Sequence, residues 1–177
     1  MKPIVELTAE HGPIKLMLRV LEKMCGKIEN EGTVPDEHFR QAVVFIREFA
    51  DQCHHGKEEK LLFPAMKEND IPEEIALIDV LIEEHKTGRS FARGMAEAID
   101  AENYALFCEN ARNYVLLLDQ HIDKENSVLF PMADKSLSKE KQNELEKGFE
   151  DVEKNVIGEG RHGELHGIIE ELKKIYL

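Results

Sequence analysis

The chain lacks the basic patches, long apolar runs and paired cysteines that mark several broad functional classes. Its 23 lysines and arginines face 36 aspartates and glutamates, a net charge of −13. That balance opposes nucleic-acid backbones and anionic membrane surfaces, so neither is an expected partner. The longest apolar runs, such as Tyr114-Val115-Leu116-Leu117-Leu118, fall far short of the roughly 20 residues that cross a bilayer. The first residues show no basic segment followed by an apolar signal core. Three cysteines, Cys25, Cys53 and Cys108, are odd in number and have no CxxC spacing. They fit a reducing compartment rather than a disulfide framework, and a cytoplasmic location is expected.

What is present is a soluble globular composition, 42% hydrophobic and 33% charged over 177 residues, enough for one domain with a sizeable core. Within it lies a duplicated motif. His54-His55-Gly56-Lys57-Glu58-Glu59-Lys60-Leu61-Leu62-Phe63-Pro64 recurs at 121–131 as His-Ile-Asp-Lys-Glu-Asn-Ser-Val-Leu-Phe-Pro, with His, Lys, Glu, Leu, Phe and Pro in register. Each copy is preceded by an isolated Glu-His pair, Glu10-His11 and Glu84-His85. The pairs are 74 residues apart and the HxxxE motifs 67, so the intervening stretch is shorter in the second half.

Apolar spacing predicts four helices. The first starts near Thr8 as a cap, or at Gly12 with Pro13 in its first turn, and runs to about Glu29. The second starts near Asp36 and carries Phe39, Val43, Ile46 and Ala50 towards His54 and Glu58, with Pro64 kinking or stopping it near Met66. The third spans Glu73 to about Ala101. The fourth runs from about Tyr104 to His121 and Glu125, where Pro131 repeats the kink. Short turns between them predict an all-α, up-down-up-down four-helix bundle over 1–135. Residues 136–177 form a C-terminal helical extension, broken at Gly158-Glu159-Gly160 and too short for an independent core.

A His and a Glu four residues apart on a helix share one face, about 6 Å apart along the axis, and can address one buried metal. The halves together offer four His and two Glu. Imidazole and carboxylate without thiolate suit non-haem iron or manganese, with zinc as competitor. One tetrahedral zinc would leave buried carboxylates uncompensated, at roughly several kcal/mol each. Two cations bridged by both carboxylates would satisfy all six groups and, with iron, leave coordination positions open for dioxygen, peroxide or nitric oxide.

These residues resemble the hemerythrin-like, or HHE cation-binding, family of four-helix bundles with a non-haem di-iron centre. The resemblance covers residues 5 to about 135. It implies that His11, His54, Glu58, His85, His121 and Glu125 ligate two irons, with Glu58 and Glu125 bridging. It is less close to the oxygen-carrying hemerythrins, which have HxxxH on the third helix and HxxxxD on the fourth; here Arg89 follows His85 by four, and Glu125 replaces the Asp. The four-His, two-Glu set looks more like bacterial iron-centre repair and nitric-oxide-response proteins, and like the iron-sensing domain of a ubiquitin-ligase subunit. In such iron-sensing relatives the residue after the first motif His can add a ligand, a position held here by His55.

Other groups have plainer readings. Leu62, Phe63, Leu129 and Phe130 read as core beneath the site, and Cys53 as a small packed hydrophobe. Glu59, aligned with Asn126, is a further ligand candidate. His162 and His166 form an HxxxH in the extension, and His162 is a candidate to close the pocket as a fifth histidine. Tyr104 and Tyr114 read as packing groups, and His38 as a surface residue. A ferritin-like Glu-x-x-His occurs only at Glu159 to His162 and is not duplicated, which argues against iron storage. No general acid or base beyond the ligands stands out. The expected function is therefore a di-iron protein that binds, senses or reduces a small oxidant. The alternatives are an iron- or oxygen-responsive regulatory module with a protein partner, or an iron-centre repair protein.

Overall fold

The computed structural model describes residues 3–158 and 160–177. The chain folds as an all-α bundle: α1 (Pro3–Glu31), α2 (Asp36–Phe45), α3 (Phe63–Lys67), α4 (Pro72–Asp100), α5 (Tyr104–Lys124), α6 (Phe130–Ser136), α7 (Lys139–Asp151) and α8 (Arg161–Tyr176). α2 runs into α3 through π-helical stretches, Ile46–His55 and Glu58–Leu62, and α5 runs into α6 through another, Glu125–Leu129. The two motif copies therefore carry the same backbone departure, beginning at Glu58 and at Glu125. Each wide turn ends at a Phe-Pro step, where the proline sits in the first turn of the following α-helical segment and its missing N–H costs no ladder bond.

α1 begins earlier than the apolar spacing predicts. Thr8 is not a cap: its hydroxyl donates to the Ile4 carbonyl, 2.7 Å away, within the helix. Fully buried Leu7 and buried His11 tie these first turns to the interior, and Pro13 is carried inside the helix. Asn103 caps α5 by accepting from the Leu106 amide at 3.1 Å, and Ser138 caps α7 by accepting from the Lys141 amide at 3.2 Å.

Two apolar clusters fill the bundle. One gathers Ile14, Phe39, Phe49, Phe107 and Leu118, the other Leu7, Leu62, Phe63, Leu81 and Phe130. Between them lies a polar layer, because each site histidine interrupts its helix's apolar stripe: His11 falls between Leu7 and Ile14, and His121 between Leu118 and Leu129. The C-terminal segment enters both clusters, with Leu145 and Phe149 of α7 in one and Leu165, Ile169 and Leu172 of α8 in the other. The break before α8 uses positive φ at Gly158 (103°) and Gly160 (83°), a conformation open to glycine without steric cost. Glu159, the first residue of the Glu-x-x-His pattern, lies outside the described residues. Among the described residues no helix is long and apolar enough to cross a membrane.

Candidate metal centre

The structure brings all six predicted residues together in the polar layer. His11, His54, His85 and His121 are at most 3% exposed, and Glu58 and Glu125 are fully buried. The imidazoles form two pairs, with Nε2 of His11 3.0 Å from Nε2 of His54 and Nε2 of His85 3.0 Å from Nε2 of His121. Each carboxylate reaches both pairs. Glu58 lies 3.6 Å from His54 Nε2 through Oε1 and 3.5 Å from His85 Nε2 through Oε2. Glu125 lies 3.0 Å from His121 Nε2 through Oε1 and 3.2 Å from His11 Nε2 through Oε2. Spacing along the chain could not pair the histidines; the fold pairs them within each half and spans the halves with the carboxylates.

Outside this ring, each Nδ1 has an oxygen partner. His54 Nδ1 donates to Glu10 Oε2 at 2.8 Å and His121 Nδ1 to Glu84 Oε2 at 2.9 Å. His85 Nδ1 donates to Glu59 Oε1 at 2.7 Å and His11 Nδ1 to Asn126 Oδ1 at 2.9 Å. An acceptor at Nδ1 fixes the proton there and leaves the Nε2 lone pair facing inward, the tautomer a metal requires. Glu10 and Glu84 each hold a second cation as well, Lys57 and Lys124 of the motif copies. The Glu of each Glu-His pair, to which the sequence reading gave no role, thus orients the motif histidine of its own half. Glu59 lies outside the ring and is oriented by Arg89.

The carboxylates are strongly perturbed. Burial works against ionisation of Glu10, but His54 and Lys57 hold its pKa at about 2. Glu59 is likewise held at about 2 by His85 and Arg89 against the cost of burial. Burial and the adjacent Glu125 push Glu58 well above the usual range, while His121 and His11 overcome burial and hold Glu125 well below it. His54 falls to about 4 and His55 to about 3, chiefly through burial. His121 instead rises to about 9, because Glu125 and Glu84 outweigh its burial.

All four oxygens of Glu58 and Glu125 are buried without a hydrogen-bond partner among the described residues. Two such carboxylates cost roughly several kcal/mol each unless cations compensate them. The donor groups form two sets, His11, His54, Glu58 and Glu125 in one, and His55, Glu58, His85 and His121 in the other. The Nε2···Nε2 separation of 3.0 Å in each pair would let both nitrogens address a single cation. By charge, donor type and spacing the residues fit two cations.

His55 joins the second set, its ring stacked on His85 with centroids 3.9 Å apart. His162 does not close this pocket. It lies against Phe49, ring centroids 5.1 Å apart, and groups with Glu10, Cys53 and Glu153 rather than with the six central residues. The Phe residues of the two LFP tails cover the centre crosswise: Phe63 stacks on His85 of the second half, and Phe130 on His11 of the first. Tyr104 bonds Asp36, Tyr114 is buried in the core, and His38 shares a 2.7 Å hydrogen bond with the Tyr176 hydroxyl.

Comparison with known proteins gives a consistent placement. The chain is 24% identical over 160 residues to uncharacterized protein Mb2018 of Mycobacterium bovis, and equally to uncharacterized proteins MT2051 and Rv1995 of Mycobacterium tuberculosis. These matches cover 87% of this chain and 62% of each relative, so the chain spans less than two thirds of their length. No solved structure matches. The hemerythrin HHE cation binding domain matches residues 2–133, and the chain belongs to that family.

Proposed function

We propose that the chain is a di-iron protein that binds a small oxidant, dioxygen, peroxide or nitric oxide, to sense or reduce it. In this reading His11 and His54 hold one iron, His85 and His121 the other, and Glu58 and Glu125 bridge them. The observation that carries it is the set of four buried carboxylate oxygens, each without a hydrogen-bond donor among the described residues, within 3.6 Å of four inward imidazole nitrogens. Bound iron would supply redox chemistry and a place for the exogenous ligand. The protein's own residues orient the donors through Glu10, Glu59, Glu84 and Asn126, and shield them from water with Phe63 and Phe130.

His55 adds a third imidazole to the His85 and His121 side, which makes the two positions unequal. Counting the bridging carboxylates, one side offers five protein donors and the other four. With iron bound, the His11 and His54 side, which has fewer protein donors, would be the one to accept the exogenous ligand. The described residues up to 135 form the functional bundle, and the C-terminal helices α7 and α8 pack into its apolar clusters. The odd number of cysteines, without CxxC spacing, favours a cytoplasmic setting.

Elemental mass spectrometry on protein purified without added metal tests the reading. Two irons per chain are expected, with loss of metal in His54→Ala and Glu125→Ala. One zinc, or no metal after anaerobic reconstitution with iron, would overturn it. Optical titration with dioxygen, peroxide and nitric oxide then separates the ligands.

A further inference from the structure

A recess of about 180 Å³ opens beside the centre, between the continuation of α2 and helices α4 and α5. Arg47, Arg89 and Arg93 line it together with Asp51, and buried His55 forms part of its wall. In a chain of net charge −13, three guanidinium groups on one small concavity run against the prevailing field. Arg89 is engaged, donating through Nε to Asp51 Oδ1 at 2.7 Å and bonding Glu59 through Nη2. Arg47 and Arg93 form no ion pair with any described residue, and both are exposed.

The inner wall carries a second unsatisfied group. His55 is 4% exposed, and its Nδ1 is buried without a hydrogen-bond partner, 3.7 Å from Asp51 Oδ1. A buried polar nitrogen left in that condition costs roughly 1–3 kcal/mol unless something bonds it. Gly88, also lining the recess, contributes no side chain to fill it.

We propose that this recess binds a small oxyanion of the nitrate, nitrite or bicarbonate class. Guanidinium groups present paired N–H donors that match planar oxyanions bidentately. The volume falls below the roughly 300–1,000 Å³ of pockets that enclose drug-sized ligands and suits a ligand of a few atoms. A neutral diatomic gains little from a guanidinium, so the ligand class differs from that of the metal centre. The recess shares only His55 with the proposed metal surroundings, and its guanidinium groups all lie outside the four-His, two-Glu set.

Isothermal titration of the full chain with sodium nitrate, a poor metal ligand, tests the assignment. One saturable site per chain is expected, weakened about tenfold in the double variant Arg47→Gln/Arg93→Gln, which alters exposed side chains only. Arg19→Gln, exposed on α1, leaves the affinity unchanged. Absence of saturable uptake, equal affinity in the double variant, or equal weakening by Arg19→Gln would overturn the proposal. So would a loss of nitrate binding when the metal is removed by chelation, because that places the anion at the metal.

Discussion

Replacing Lys57 by Met discriminates between the two motif copies. Lys57 is fully buried, and its Nζ donates to Glu6 at 2.6 Å, to Glu10 at 2.7 Å and to Glu153 at 2.7 Å. Methionine keeps an unbranched apolar stem of similar length but removes the charge, which also lies 5.5 Å from the centroid of the Phe149 ring. Glu6 and Glu153, with side chains 21% and 37% exposed, can turn to water. Glu10, at 7%, cannot, and it also holds His54. The cost is therefore that of one stranded buried carboxylate, about 3–5 kcal/mol. For a chain of this size that lowers Tm by roughly 6–20 °C. Lys124→Met is the matched control: Lys124 is 36% exposed and among the described residues bonds Glu84 alone, and its loss costs about 1 kcal/mol or less. Urea unfolding of metal-saturated protein, with metal content measured in parallel, reads both. Equal losses for the two variants, or a loss below about 1 kcal/mol for Lys57→Met, would refute the reasoning; adding Glu10→Gln should recover part of the loss.

Chelation at neutral pH should lower the melting temperature and increase hydrogen exchange around Glu58 and Glu125, since both carboxylates lose their compensating charge; an unchanged melt would mean that no cation resides there. Phe149→Ala should cost about 3–5 kcal/mol in urea unfolding, because the ring is fully buried where α7 meets the bundle. Gly94→Ala should destabilise by about 1–2 kcal/mol, because the new Cβ would lie 2.4 Å from Asn110 Oδ1. In an Asn110→Ala background the same change should stabilise by about 1 kcal/mol, the ordinary helix-propensity gain, and a stabilising effect in both backgrounds would remove the steric account.

The all-α bundle and the convergence of His11, His54, Glu58, His85, His121 and Glu125 were legible because the apolar spacing and the duplicated register repeat the same instruction twice. The π-helical turns were not, because they depend on a backbone bonding pattern that side-chain periodicity does not encode at that resolution. The pairing of His11 with His54 and of His85 with His121 required the helices' mutual rotation. Glu10 and Glu84 stood beside their histidines in the sequence, and a carboxylate next to a candidate ligand was the available signal for an orienting role. Adjacent residues on a helix point about 100° apart, so each serves the neighbouring helix rather than its own His. The sequence offered both His55 and His162 as a further histidine; the fold sets His55 beside His85, Glu58 and His121 and carries His162 away to Glu10, Cys53 and Glu153.

The crosswise cover over the centre has a consequence for assembly. Phe63 and Glu59 of the first copy complete the surroundings of His85, and Phe130 and Asn126 of the second complete those of His11. A two-helix hairpin carrying a single copy would own neither a full donor set nor its shelter, and could gain them only by meeting another hairpin. Joining the copies in one chain turns that encounter into an intramolecular event, at effective concentrations of order millimolar or above. The centre's integrity is thereby independent of how dilute the protein is. With meeting guaranteed, the copies need not remain identical, and the divergence of His55 from Ile122 and of Glu59 from Asn126 gives two chemically different faces that a symmetric pair of hairpins could not possess.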